Sequence, residues 1–263
     1  MCSVSFSPDV IGQHHSSIEN ALTLQVIREA LGAVRPVSND RRIILAPNDI
    51  AVYPGDRREH VLFVDSGLLR MQHIDREGRR HILNLCGPGE LIGINPNDRN
   101  SCSMEACVSS VLHCFNRRSF DTARALNNRI RRLVLRQQDI RLERVRFLTW
   151  MLCALRPIER INAFLFLGAR FLPTHTAMDG SLLVRLPLPR SDMADLLGTS
   201  VETISRVTQK LHRDGVIEIM DPTHFRIPDL RAVMSLGQVD IREFDGLGLS
   251  RPHAAFASGA ANQ

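Results

Sequence analysis

No part of this 263-residue chain approaches the roughly 18 consecutive apolar residues that a membrane helix needs. The longest apolar segments, Phe147–Leu155 and Ala163–Gly168, are short and bordered by arginine, which excludes a helical span. The N-terminus has no basic segment leading an apolar one and meets an acid at Asp9, so a secretory signal is not expected. The expectation is a cytoplasmic protein with no membrane partner. The six cysteines (Cys2, Cys86, Cys102, Cys107, Cys114 and Cys153) show no zinc-finger spacing and no C-x-x-C, and read as reduced thiols. Phosphate-cradling glycine loops, a G-x-S-x-G elbow and an H-E-x-x-H helix are all missing, so an enzyme is not the reading. His113 and Cys114 could be imagined as base and nucleophile, but neighbours on a strand point to opposite faces. Lys210 is the only lysine, a bias that carries little chemistry.

Charge is present in modest excess, 33 basic against 28 acidic residues, and it is unevenly placed. Arg117 to Arg160 holds twelve arginines and four acids, a stripe that suits a polyanion or, equally, a solvated helix face. A short helix is expected over Ile18–Leu31. From Arg42 to Phe115 short strands alternate with turns such as Pro54-Gly55-Asp56 and Asp65-Ser66-Gly67. The strand candidates are Ile43–Ala46, Val61–Val64, Leu68–Ile74, His81–Leu85, Ser101–Ala106 and Ser110–Phe115, a pattern that argues for an antiparallel barrel or jelly roll.

A long helix should follow. Ile130, Leu133, Gln137, Ile140, Arg144, Phe147, Met151 and Ala154 recur in steps of three and four, and this seam is read as the contact of a two-chain coiled coil. Packing on the helix's own barrel is the alternative. Pro157 ends the helix, and a further helix is expected over Ile158–Leu172. A short strand at Leu182–Leu186 precedes two short helices, Ser191–Leu197 and Val201–Asp214. A hairpin of Val216–Ile219 and Phe225–Ile227 comes next, and the Gly-, Ala- and Ser-rich tail from Gly237 is expected to be disordered.

The segment Arg190–Val207 carries the most specific pattern. A helix-turn-helix needs a small residue where its helices cross, a glycine in the turn and apolar residues toward the core. Ala194, Gly198, and Met193, Leu197, Val201, Ile204 and Val207 stand at those places. Ser200 is placed to cap the second helix. Glu202, Ser205 and Arg206 should face outward: arginine can hold guanine through two hydrogen bonds, and a carboxylate can accept from cytosine. Glu202 and Arg206 are also spaced to support the helix as a surface pair.

P-L-P-R-S-D-M-A-D-L-L-G-T-S-V-E-T-I-S-R, followed by Arg213-Asp214-Gly215 and a hairpin, resembles the CRP/FNR family of bacterial transcription regulators. The E-x-x-S-R pattern is similar to the FNR/FixK branch. V-L-F-V-D-S-G-L-L-R-M, D-R-E-G-R-R-H-I-L-N-L and G-P-G-E-L-I-G resemble that family's cyclic-nucleotide-binding-like barrel, and the likeness runs from Leu24 to Leu236. It implies an α+β protein with a jelly-roll barrel over 24–116, a dimerisation helix over 117–155, a winged helix-turn-helix over 156–230 and a tail over 237–263. It also implies a homodimer on double-stranded DNA that works with RNA polymerase and activates genes of low-oxygen or nitrogen-oxide metabolism. Glu202, Ser205 and Arg206 match the base-contacting positions and imply a TTGAT half-site, repeated in inverse after four bases. Arg190, Ser200, Thr203 and Lys210 match phosphate contacts. Thr199 departs from the branch, where an apolar residue is usual.

The barrel departs further. Ile94 stands where cyclic-AMP-binding members of the family have the ribose glutamate, and Asn100-Ser101 where they have the phosphate-binding Arg-Ser. Cyclic AMP is therefore not expected. Only Cys2 lies near the N-terminus, so the four thiolates of an iron–sulfur cluster are not expected either. Haem has no specific axial-ligand pattern and stays open. Cys102, His113 and Cys114 would form a redox or metal group if Ser101–Phe115 were a hairpin, although buried strand thiols are the simpler reading and no metal is expected. A small-molecule, haem or thiol sensor whose DNA binding needs an effector is the alternative function.

Overall fold

The computed structural model describes residues 12–34, 40–172 and 174–239. Its elements begin with helix α1 (Gly12–Val34) and strands β1 (Arg41–Leu45), β2 (Ile50–Val52), β3 (His60–Ser66) and β4 (Leu69–Ile74). Strands β5 (Arg80–Cys86), β6 (Leu91–Ile92), β7 (Ser103–Ala106) and β8 (Ser110–Asn116) follow. Helices α2 (Arg117–Leu126), α3 (Asn128–Ala154) and α4 (Pro157–Phe171) lead to β9 (Thr174–Thr176) and β10 (Leu182–Arg185). Then come α5 (Arg190–Leu197), α6 (Val201–Arg213), β11 (Glu218–Ile219), β12 (His224–Ile227) and α7 (Leu230–Leu236).

Two compact units result. One takes the chain up to Leu148 together with Pro187–Val201; the other takes Thr149–Leu186 and the chain from Glu202 onward. This division falls inside α3 and inside the helix-turn-helix.

In the first unit two antiparallel sheets, ordered β1-β8-β3-β6 and β2-β7-β4-β5, form the expected jelly-roll barrel. Strand β3 shows why the pattern folds this way. Val61 and Phe63 enter one core with α1, α2 and the start of α3, while Leu62 and Val64 enter a second with Leu69, Met104 and Cys114. A period of two divides successive side chains between the two faces, so a continuous apolar run marks a strand covered on both sides. At the turn into β4, Gly67 has φ +96, and a Cβ there would lie 2.6 Å from the Ser110 backbone. Only glycine fits.

β7 and β8 are not a hairpin. β7 pairs with β2 and β4, β8 pairs with β1 and β3, and the chain crosses between sheets at Cys107, whose N–H donates to Leu68 O at 2.8 Å.

Helix α3 corrects the seam. Ile130 is in the barrel core, and Arg144, Phe147 and Met151 are buried within the single chain. Gln137 accepts from Leu91 N and donates to Gly89 O, each at 2.7 Å. Arg144 donates to Leu85 O at 2.6 Å and to Glu90 at 3.0 Å. The two polar members of the repeat thus reach backbone of the barrel, and Leu133 and Ile140 are half-buried beside them. Three- and four-residue steps also describe another face. Leu135, Leu142, Val145 and Leu152 are 54%, 48%, 40% and 38% exposed, with Gln138 and Thr149 between them.

The second unit contains the sheet β11-β12-β10-β9 and helix α4, which is buried from Ile161 to Ala169. α7 closes on α4 so tightly that a Cβ on Gly237 would lie 2.7 Å from Ala163 N. Gly237 and Val239 of the expected tail are therefore packed, and 240–263 lie outside the described residues. No helix among the described residues is long and apolar enough to cross a membrane.

Candidate nucleic-acid interface

Pro189 precedes α5, and Met193, Ala194, Leu196 and Leu197 are buried along it. The helix ends as the sequence predicts. Gly198 adopts φ 58, ψ 47, and the N–H groups of Gly198 and Thr199 both donate to Ala194 O. A left-handed C-terminal glycine allows this closure without a Cβ clash. Thr199 is half-buried, so its departure from the branch leaves the turn closed.

α6 is amphipathic by construction. Ile204, Val207, Thr208 and Leu211 are buried at i, i+3, i+4 and i+7. Thr208 satisfies its hydroxyl by donating to Ile204 O at 2.9 Å. Val201, expected in the core, is instead 39% exposed. Glu202, Ser205 and Arg206 are all exposed on the opposite face. Lys210 is exposed in the last turn with His212 and Arg213, where cations complement the carbonyl end of the helix. Ser200 is exposed just before α6 and Thr203 is half-buried. Arg190 is half-buried at the start of α5, and burial lowers its guanidinium from the ordinary value.

The barrel positions behave differently. Ile94 is 1% exposed and belongs to the core shared with α1, α2 and α3. Asn100 lines a cleft of about 190 Å³ with Ile43, Val52, Leu62, Ile92 and Cys114. Its side-chain oxygen accepts from Arg58 Nε at 2.8 Å, so a cation does stand beside the place where the family keeps its arginine, supplied from another segment. Burial, and then the nearby Arg117, lower the Arg58 guanidinium. With an isoleucine packed in place of the ribose carboxylate, these residues do not fit a cyclic nucleotide held in the family's manner.

The thiol group that a hairpin over Ser101–Phe115 would have made is not assembled. His113 is buried, stacks on Phe115 with ring centroids 6.5 Å apart, and places Nδ1 2.9 Å from Asp40 Oδ1. Cys114 points into the other core, its thiol raised by burial, and Cys102 is half-buried before β7. Among the described residues no group of three or more His, Cys, Asp or Glu could hold a metal ion. Cys2 lies outside them.

Sequence reasoning missed one arrangement entirely. Asp192 on α5 is buried between Arg70 of β4 and Arg80 of β5. An arginine inside the apolar run L-L-R-M was the only hint of it.

A jelly-roll barrel, a long helix with an exposed apolar stripe and a helix-turn-helix followed by a hairpin define a DNA-binding regulator with its own sensor-type domain. Comparison with known proteins bears this out. Residues 42–127 match the cyclic nucleotide-binding domain and residues 159–236 the Crp-like helix-turn-helix domain. The chain is 28% identical over 204 residues to the nitrogen fixation regulation protein FixK of Rhizobium meliloti, covering 76% of this chain and 90% of that one. It is 31% identical over 179 residues to FixK of Azorhizobium caulinodans, covering 68% and 71%. The structure of FixK2 from Bradyrhizobium japonicum shares the fold, with TM-score 0.68 at 21% identity over 75% of this chain and 96% of that one. The chain belongs to the CRP/FNR family of transcription regulators, on its FixK branch, and is a DNA-binding regulator rather than an enzyme.

Proposed function

We propose that the protein is a cytoplasmic homodimer that reads an inverted repeat of TTGAT across a four-base spacer and, with RNA polymerase, activates genes of low-oxygen or nitrogen-oxide metabolism. The observation that carries this reading is the shared outward face of Glu202, Ser205 and Arg206 on α6. Arg206 holds guanine, Glu202 accepts from cytosine, and Ser205 completes the edge contact. Arg190, Ser200, Thr203 and Lys210 make the phosphate contacts that fix register. The barrel takes no cyclic nucleotide and the chain no iron–sulfur cluster.

The second protomer packs on Leu135, Leu142, Val145 and Leu152 of α3 rather than on the Gln137–Arg144 face, which the barrel already covers. Leu142→Asp is expected to convert the sedimenting dimer to monomer. It should weaken operator binding about 100- to 10,000-fold, because linked half-sites are lost together. An unchanged sedimentation coefficient would place the interface elsewhere.

The whole reading is tested by fluorescence anisotropy of reduced, ligand-free protein on a TTGAT-N4-ATCAA duplex and on a scrambled one. Strong preference for the palindrome supports a regulator competent without effector. Equal, salt-sensitive binding to both rejects that and favours an effector-dependent sensor.

A further inference from the structure

α5 carries two carboxylates one helical turn apart, Asp192 and Asp195, and both are held by arginines of the barrel sheet. Asp192 is 1% exposed. Its two oxygens accept separately, Oδ2 from Arg70 Nη1 at 2.5 Å and Oδ1 from Arg80 Nη2 at 2.6 Å. Arg80 Nε also donates to Asp195 Oδ2 at 2.7 Å. Arg70 is as buried as its partner, and its remaining donors go to Gln72, Asn48 and Glu105. Burial alone would lower the Arg70 guanidinium, but Asp192 and Glu105 hold it above its ordinary value.

Buried ion pairs contribute little net stability compared with apolar side chains of the same volume. What they fix is placement. A carboxylate gripped on both oxygens from two different strands admits one position of α5 against the sheet, and any shift leaves a buried charge without its partner. α5 runs into α6 through only Gly198-Thr199-Ser200. None of the gripping residues lies on the outward face of α6 or at the barrel positions of the family's nucleotide.

We propose that Arg70 and Arg80 are positioning residues for DNA recognition: by holding Asp192 and Asp195 they set the operator affinity of α6 without touching DNA. The proposal rests on α6 being the recognition helix. The deep pair, Arg70 with Asp192, dominates, and the partly exposed pair, Arg80 with Asp195, trims the orientation.

The test compares Asp192→Asn, Arg80→Gln, Arg80→Lys and Asp195→Asn with wild type, using anisotropy on the palindromic duplex at several salt concentrations and amide exchange at Met193–Leu197. Asp192→Asn should weaken operator binding about five- to a hundredfold, within the usual range of coupling between sites. Arg80→Gln and Asp195→Asn should show smaller losses, and Arg80→Lys should recover most of the affinity. Amide exchange across α5 should speed up in the same order. The salt slope should stay at its wild-type value, because no phosphate contact is removed. Should Asp192→Asn fail to fold, the two half-exposed positions carry the test. Wild-type affinity and exchange in well-folded Arg80→Gln and Asp195→Asn would overturn the proposal. A wild-type protein with no preference for the palindrome would instead overturn the recognition-helix reading, and with it the DNA half of the proposal. Exchange at Met193–Leu197 would still decide the grip.

Discussion

On α6, the residues that match the family's working positions remain on the surface: Glu202, Ser205 and Arg206 are exposed while Ile204, Val207 and Leu211 hold the helix down. In the barrel the corresponding positions are divided, for Ile94 is buried, Asn100 half-buried and Ser101 exposed. Ile94 is part of a core with Phe63, Leu91 and Phe120, and Asn100 is engaged by Arg58. One region sets its matching residues together on an outward face, and the other has an apolar side chain in the core at one of its positions. The contrast teaches that the barrel's architecture rests on the apolar residues on both sides of β3, and that position 94 belongs to one of those cores.

The sharpest way to break this contrast is to place a carboxylate at position 94. Ile94→Glu places an uncompensated charge in the core and is expected to cost about 3–5 kcal/mol in urea denaturation, with no gain of cyclic AMP binding by calorimetry. A variant as stable as wild type would show that the position is not structural. On α6, Arg206→Ala is expected to lose about 1–3 kcal/mol on the operator and to relax discrimination at the guanine. Equal losses on scrambled DNA would remove the residue from base readout. Lys210→Ala should weaken binding to every duplex alike and reduce the salt slope by about one. The smallest effect belongs to the hairpin after α6. Burial would raise Asp221, but hydrogen bonds from Thr223 and His224 bring it down to about 2. A depressed carboxylate stabilises the fold above its ordinary pKa and loses that contribution as pH falls toward 2. The difference in denaturation midpoint between wild type and Asp221→Asn should be level from pH 8 to about pH 5 and shrink below pH 4. A difference undiminished at pH 3 would deny the carboxylate that role.

The legible parts were those with local chemistry at their ends. α5 and α6 fall within a residue of their expected limits because Pro189 and Gly198 mark them. The spacing predicts six strands in the barrel, whereas β2 and β6, with three and two residues, are too short for periodicity to register. The face of α3 was misassigned because two stripes on it share the same step. Nothing in the spacing says that Gln137 and Arg144 end on carbonyls of the barrel. Turn residues near Cys107 announce a change of direction but not a change of sheet, which is why Cys102 and Cys114 part company. The grip on α5 is signalled only by an arginine within an apolar run, and nothing local names its partner, since Asp192 and Arg70 are 122 residues apart in sequence.

Strand β3 bears on how this protein can change. With Val61 and Phe63 serving one core and Leu62 and Val64 the other, it has no solvent side over Val61–Val64 on which a polar mutation could be absorbed. Drift in the barrel is thereby confined to its rims and edge strands. A library seeking a new effector would keep its folded members by varying residues such as Ala51, Val52 and Asn100 at the cleft, and would lose most of them at Val61–Val64.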